Sequence, residues 1–123
     1  MRILINHTNH PSQKWDEKQK EYWSEIIDLP FPSIDPKATT EEVDTIAMIN
    51  FLEIDKIAKE ITDKNSNASI FIMLQGEFTY CYLLYQKIRN KFPIAIPTTE
   101  RKVIEKENGE KISIFEFVRW RFL

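Results

Sequence analysis

Glycine is nearly absent from this chain: its 123 residues include two, Gly76 and Gly109. That scarcity excludes the dinucleotide fingerprint and the Walker loop, because each needs several closely spaced glycines to bring backbone against phosphate. A single cysteine, Cys81, excludes an internal disulfide and a multi-cysteine zinc site, and fits a reducing compartment. No run reaches the roughly 18 apolar residues of a membrane span. The start "MRILIN" passes into strand-like sequence with no secretory leader, so a cytoplasmic location without membrane association is expected. The net charge of -2 gives no general attraction to long nucleic acid, so an anionic ligand must be held by a local patch.

What is present is patterning for one domain spanning residues 1–123. "RILIN" is a short branched apolar run, read as a buried strand, and the polar loop "HTNHPS" ends it. Ser12 can cap a helix in which Trp15, Gln19, Tyr22 and Trp23 share a stripe. "SEIIDLPFP" supplies a second strand, and "PSIDP" is too proline-rich for regular structure. A long helix then starts at Thr39 or Thr40, with Val43, Ile46, Ala47, Asn50, Ile54, Ile57, Ala58 and Ile61 on the 3.6-residue period. "SIFIML" is continuously apolar, the kind of strand that helices cover on both faces. After Gly76, a helix with Phe78, Cys81, Tyr82, Tyr85, Ile88 and Phe92 on its stripe leads to "PIAIP", a fourth strand.

The order predicts a three-layer, Rossmann-like or flavodoxin-like α/β domain with a mostly parallel sheet, strand order 2-1-3-4, and a C-terminal β-hairpin. Asn108-Gly109 is the hairpin turn; a two-residue loop there sets Val103 opposite Ile114 and Arg101 opposite Glu116. The last strand is apolar on both faces, which calls for cover on both sides and points to a homodimer.

In such a sheet a ligand sits beyond the carboxyl ends of the strands where the winding reverses, here between the first strand and "SIFIML". Three polar segments reach that edge. Asn6, His7, Thr8 and Asn9 follow the first strand and offer hydrogen bonds to phosphate or base, with a histidine able to exchange protons near neutrality. Gln75, Gly76, Glu77 and Thr79 follow the third, where Gly76 allows close approach and Glu77 suits ribose hydroxyls or proton transfer. Thr98, Thr99, Arg101 and Lys102 follow the fourth, and hydroxyls beside cations suit a phosphodiester. His7, His10 and Glu77 have no recognised metal-ligand spacing, and neither a metal nor a cofactor is called for. Solvated loops, a favourable acid at a helix start and a cross-strand ion pair for Arg101 are the plain alternatives. Cys81 reads as core rather than nucleophile.

The segments "ILINHTNHPS", "MLQGEFT", "TTERKV" and the terminal "FEFVRWRF" together resemble the small stand-alone CRISPR-associated proteins with a CARF-type Rossmann fold, some of which are ring nucleases. The resemblance implies a symmetric dimer that binds a cyclic oligoadenylate messenger of type III CRISPR defence. It further implies metal-independent cleavage by in-line attack of a ribose 2'-hydroxyl. Carried over by position, the ligand contacts fall on Asn6, His7, Thr8, Asn9, Gln75, Gly76, Glu77, Thr79, Thr98, Thr99 and Arg101. For the chemistry, Arg101 or a helix N-terminus is expected to stabilise developing charge and His7 or Glu77 to shuttle protons, so His7, Glu77 and Arg101 are the catalytic candidates. A binding module without chemistry, and an unrelated small α/β nucleotide-binding protein, are the competing expectations.

Overall fold

Branched apolar residues at the start of the chain find backbone partners on both sides. In the computed structural model, which describes residues 1–123, β1 (Arg2–Thr8) lies between β2 (Glu25–Asp28) and β3 (Ser69–Gln75) and runs parallel to both. Ile3 to Asn6 align with Glu25 to Asp28, and Arg2 to Thr8 align with Ser69 to Gln75. β4 (Ala95–Glu105) begins beside β3, where Ile72 N–H donates to Pro93 O at 3.0 Å and Ile72 forms a parallel bridge with Ile94. β5 (Lys111–Phe122) returns antiparallel to β4. The fold is thus mixed α/β: a three-stranded parallel sheet bridged to a two-stranded ribbon.

Helices cover one face of the sheet. The long helix α2 (Thr40–Lys64) and helix α3 (Phe78–Ile88) close over Ile5, Ile72 and Ile94 with Val43, Ala47, Ile54, Tyr80, Leu84 and Ile88. The start of α2 is local chemistry: Thr39 Oγ1 accepts from Glu42 N–H at 3.2 Å while the Glu42 carboxylate accepts from Thr39 N–H at 3.3 Å. Thr39→Ala is expected to lower stability by about 1 kcal/mol, read from the urea midpoint. Within α3 the buried positions are Tyr80, Leu84 and Ile88, so only Ile88 of the expected stripe is fully buried, and Phe78 and Tyr82 are exposed. Eight of the eleven positions of α3 are aliphatic, aromatic or cysteine, so periodicity does not select one face.

The other face corrects a second expectation, because no long helix covers it. The segment from Ser12 forms a single 3-10 turn (Ser12–Lys14) and a one-turn helix, α1 (Glu17–Lys20). Asp16 restarts the helix by accepting from Gln19 N–H at 2.8 Å. What covers Leu4, Met73 and Ala95 is Trp23, with Trp15, Tyr22, Phe71 and Trp120 around it. Trp23 meets Trp120 and Phe71 edge to face, at ring separations of 5.2 and 5.3 Å. Trp120 Nε1 donates to Gln19 O at 3.1 Å and so pins α1 to β5. Flat aromatic cover replaces the expected second helical layer.

The ribbon register is offset by one residue from the expected one. Gly109 N–H donates to Lys106 O (2.9 Å) and Lys106 N–H to Glu110 O (2.7 Å), with Gly109 at φ +85. Glu107, Asn108 and Gly109 therefore form the loop, a turn followed by a left-handed glycine rather than a two-residue connection. Val103 faces Ser113 and Arg101 faces Phe115. Both Nε and Nη2 of Arg101 donate to Ser113 Oγ, at 3.1 and 2.8 Å, while Glu116 pairs with Lys102 at 2.9 Å. Asn-Gly serves either loop length, and the base of the ribbon selects between them. There the register shifts between Thr98 and Thr99, and Phe117 and Trp120 bring their rings within 5.5 Å.

Candidate functional site

The winding reverses between β1 and β3, so the carboxyl ends of those strands, at Thr8 and Gln75, define the candidate crevice. The first polar segment splits between the two faces of β1, which extends through Thr8 rather than ending at Asn6. Asn6 and Thr8 are buried and knit the turn that follows. Asn6 Nδ2 donates to His10 O (2.8 Å) and to Asp28 Oδ1 (2.9 Å), and Thr8 Oγ1 donates to Asn6 Oδ1 (2.8 Å). Asp28, at the end of β2, also accepts from Ser12 Oγ at 3.0 Å. Only Asn9 and His10 of this turn are exposed.

His7 points to the opposite, helical face and is fully enclosed. Its Nδ1–H donates to Leu29 O at 2.9 Å, and Nε2 accepts from Tyr80 O–H at 2.6 Å. Phe31 and Tyr80 flank the imidazole, at ring separations of 5.4 and 5.7 Å. Burial pushes the imidazole pKa below its ordinary 6.5, only partly opposed by the Leu29 carbonyl, so the ring is held neutral. Burial also raises the Tyr80 phenol, which stays protonated and donating.

At the end of β3, Gly76 meets the ring of Phe31. A Cβ there would lie 2.3 to 2.7 Å from three ring atoms, so the close approach that requires glycine is made by the chain's own phenylalanine. Glu77 is the N-cap of α3 and accepts from Tyr80 N–H at 2.8 Å. Gln75 and Thr79 remain exposed on either side. Cys81, one residue beyond Tyr80, has its thiol pushed up to about 11, chiefly by burial and then by the Glu77 charge, and is no thiolate nucleophile near neutrality.

The third segment is strand rather than loop. Thr98 Oγ1 donates to Arg119 O at 3.1 Å, and Thr99 is exposed. The Ile72–Ile94 bridge places both beyond the end of β3. Arg101 lies farther out on the ribbon, about 13 Å past that end at the rise of an extended strand.

The fold therefore gathers Asn9, His10, Gln75, Glu77 and Thr79 around one edge, with Thr98 and Thr99 beside it. It does not bring His7, Glu77 and Arg101 into one solvent-facing group: the first is enclosed, the second caps a helix, and the third is held by Ser113. His7, His10 and Glu77 form no metal-ligand cluster. Sequence reasoning passed over Phe31, Tyr80 and Asp28. Only Tyr80 had a local signal, its spacing of four from Leu84 and of eight from Ile88.

A family model described as Uncharacterized protein MJ1673 family matches residues 1–121. No curated protein and no solved structure matches the chain. No helix is long and apolar enough to cross a membrane.

Proposed function

We propose that this chain, which belongs to the Uncharacterized protein MJ1673 family, is a CRISPR-associated protein binding a cyclic oligoadenylate messenger at the carboxyl edge of a Rossmann-like sheet. One observation carries the reading: exposed Asn9, His10, Gln75 and Thr79 flank the β1–β3 reversal, the place where open parallel sheets hold nucleotides. Amide and hydroxyl groups there suit base edges and ribose hydroxyls better than bare phosphate, in keeping with Glu77 at the start of α3. Thr98 and Thr99 supply further hydroxyls from β4.

Binding without rapid turnover is the form of this function that the geometry favours. The three residues nominated for proton transfer and charge stabilisation are each committed elsewhere within the chain. Cleavage would then rest on positioning the ribose 2'-hydroxyl in line with its phosphate, a contribution that needs no protein base. Calorimetry with cyclic tetra- and hexa-adenylate in EDTA is expected to show saturable binding, and chromatography of the same mixtures to show mostly intact ring. Asn9→Ala and Thr79→Ala are each expected to weaken binding about tenfold, the effect of losing one hydrogen bond to ligand. Absence of binding to both rings would refute the reading. Rapid appearance of linear products would replace it with a ring nuclease.

A further inference from the structure

The β4–β5 ribbon continues beyond the sheet with apolar side chains that nothing in the chain covers. Phe115 is 66% exposed and Val103 57%, side by side on one face, while Ile104, Ile112 and Ile114 are exposed on the other. A two-stranded ribbon is marginally stable alone in water, and beyond its base this one exposes a contiguous apolar patch of the kind that marks a docking surface.

The face bearing Val103 and Phe115 runs without a break into Phe117, which lines a cleft of about 450 Å³ with Tyr22, Trp120 and Phe122. Three cations, Arg2, Lys18 and Arg119, border this cleft against one carboxylate, Glu21. None of the three cations is in a salt bridge, and the Arg2 guanidinium lies 4.0 Å above the Tyr22 ring. At the far end of the ribbon the balance reverses to a net charge of -1: Glu105, Glu107 and Glu110 stand against Lys106 and Lys111, with Lys106 3.7 Å from Glu110 and Glu105 and Glu107 in no salt bridge.

We propose that a second copy of this chain covers that face, with the two ribbons antiparallel about a twofold axis and each acidic tip seated in the basic, aromatic cleft of the other. One chain carries both the tip and its complement, which is the requirement for an isologous pair. Size argues for the seated tip. A ribbon face about 26 Å long and about 10 Å wide falls short of the roughly 800 Å² per partner of a stable dimer, so the contact must extend to the tip and the cleft. The inference is independent of the ligand reading, since it concerns the ribbon and the cleft beside α1 rather than the β1–β3 edge.

Sedimentation velocity of the full chain is expected to give twice the 14.7 kDa chain mass. Val103→Asp combined with Phe115→Asp should yield a monomer with unchanged far-ultraviolet circular dichroism. Glu107→Lys with Glu110→Lys should weaken association at least about tenfold, and adding Lys18→Glu with Arg119→Glu should restore it. In a Cys81→Ser background, Glu107→Cys with Lys18→Cys should form an interchain disulfide that neither cysteine forms alone, a test that leaves the apolar face intact. A wild-type monomer up to about 100 μM, a dimer indifferent to the aspartates, or no specific cross-link would each overturn the proposal, whatever else occupies the cleft.

Discussion

His7→Leu is expected to lower the stability of this protein by about 2–4 kcal/mol, although it replaces a buried polar side chain with an apolar one of similar size. The loss comes from what the histidine leaves behind. The Leu29 carbonyl and the Tyr80 hydroxyl each have it as a partner, at 2.9 and 2.6 Å, the first partly and the second fully closed to water. Tyr80→Phe removes only the shorter bond and should cost about 1–2 kcal/mol by orphaning Nε2. In the double variant only the Leu29 carbonyl remains orphaned, so the combined loss should fall clearly below the sum of the single losses. Urea unfolding followed by the fluorescence of the three tryptophans measures all four corners, and additivity would show that the pair is not coupled.

The same residue sets a pH dependence. The folded-state pKa of His7 is lowered by burial, whereas the unfolded chain has the ordinary 6.5. The unfolded state therefore takes up a proton first as pH falls, and stability is fully present above 6.5 and declines as pH drops through that value. Between about pH 7.5 and about pH 5 the urea midpoint of the wild type should fall, and His7→Leu should flatten that fall. A wild-type midpoint that rises toward low pH would contradict a buried neutral imidazole.

Gly76→Ala is expected to lower the stability of this chain by about 1–3 kcal/mol. The new Cβ would fall inside contact distance of three atoms of the Phe31 ring, and that ring is itself confined by His7 and Tyr80. Phe31→Ala carries its own cost, yet Gly76→Ala on the Phe31→Ala background should cost clearly less than in the wild type, because the obstructing ring is gone and only the backbone preference at φ +159 remains. An undiminished penalty on that background would place the demand for glycine in the backbone rather than in the packing. The pair also separates structure from ligand binding. If Gly76 serves only Phe31, binding to a cyclic oligoadenylate survives wherever the fold survives.

Much of the candidate edge was legible because open parallel sheets place their ligand crevice by topology alone. Asn9, Gln75, Glu77 and Thr79 were found by asking which polar residues follow which strand. The roles assigned within that set were less legible. Whether a polar side chain at a strand end faces a ligand or its own fold depends on what packs over it. His7 and Asn6 are adjacent in sequence and point to opposite faces of β1, one to a tyrosine 73 positions away and the other to an aspartate 22 positions away.

Local chemistry in the sequence was enough for the capped start of α2, the strand character of β1 and β3 and the position of the hairpin turn. Each rests on side-chain period, a capping pair or a turn residue, all of which act over a few neighbours. The expected fourth strand and the first arm of the hairpin are instead one strand, β4. The tertiary structure alone decided the cover of the second sheet face, where Gln19 is tied to Trp120 across 101 positions, and the register of the ribbon, selected at its base. It also decided what approaches Gly76. Those outcomes depend on rings and hydrogen-bonding groups meeting from distant parts of the chain, and no pattern confined to one segment encodes such a meeting.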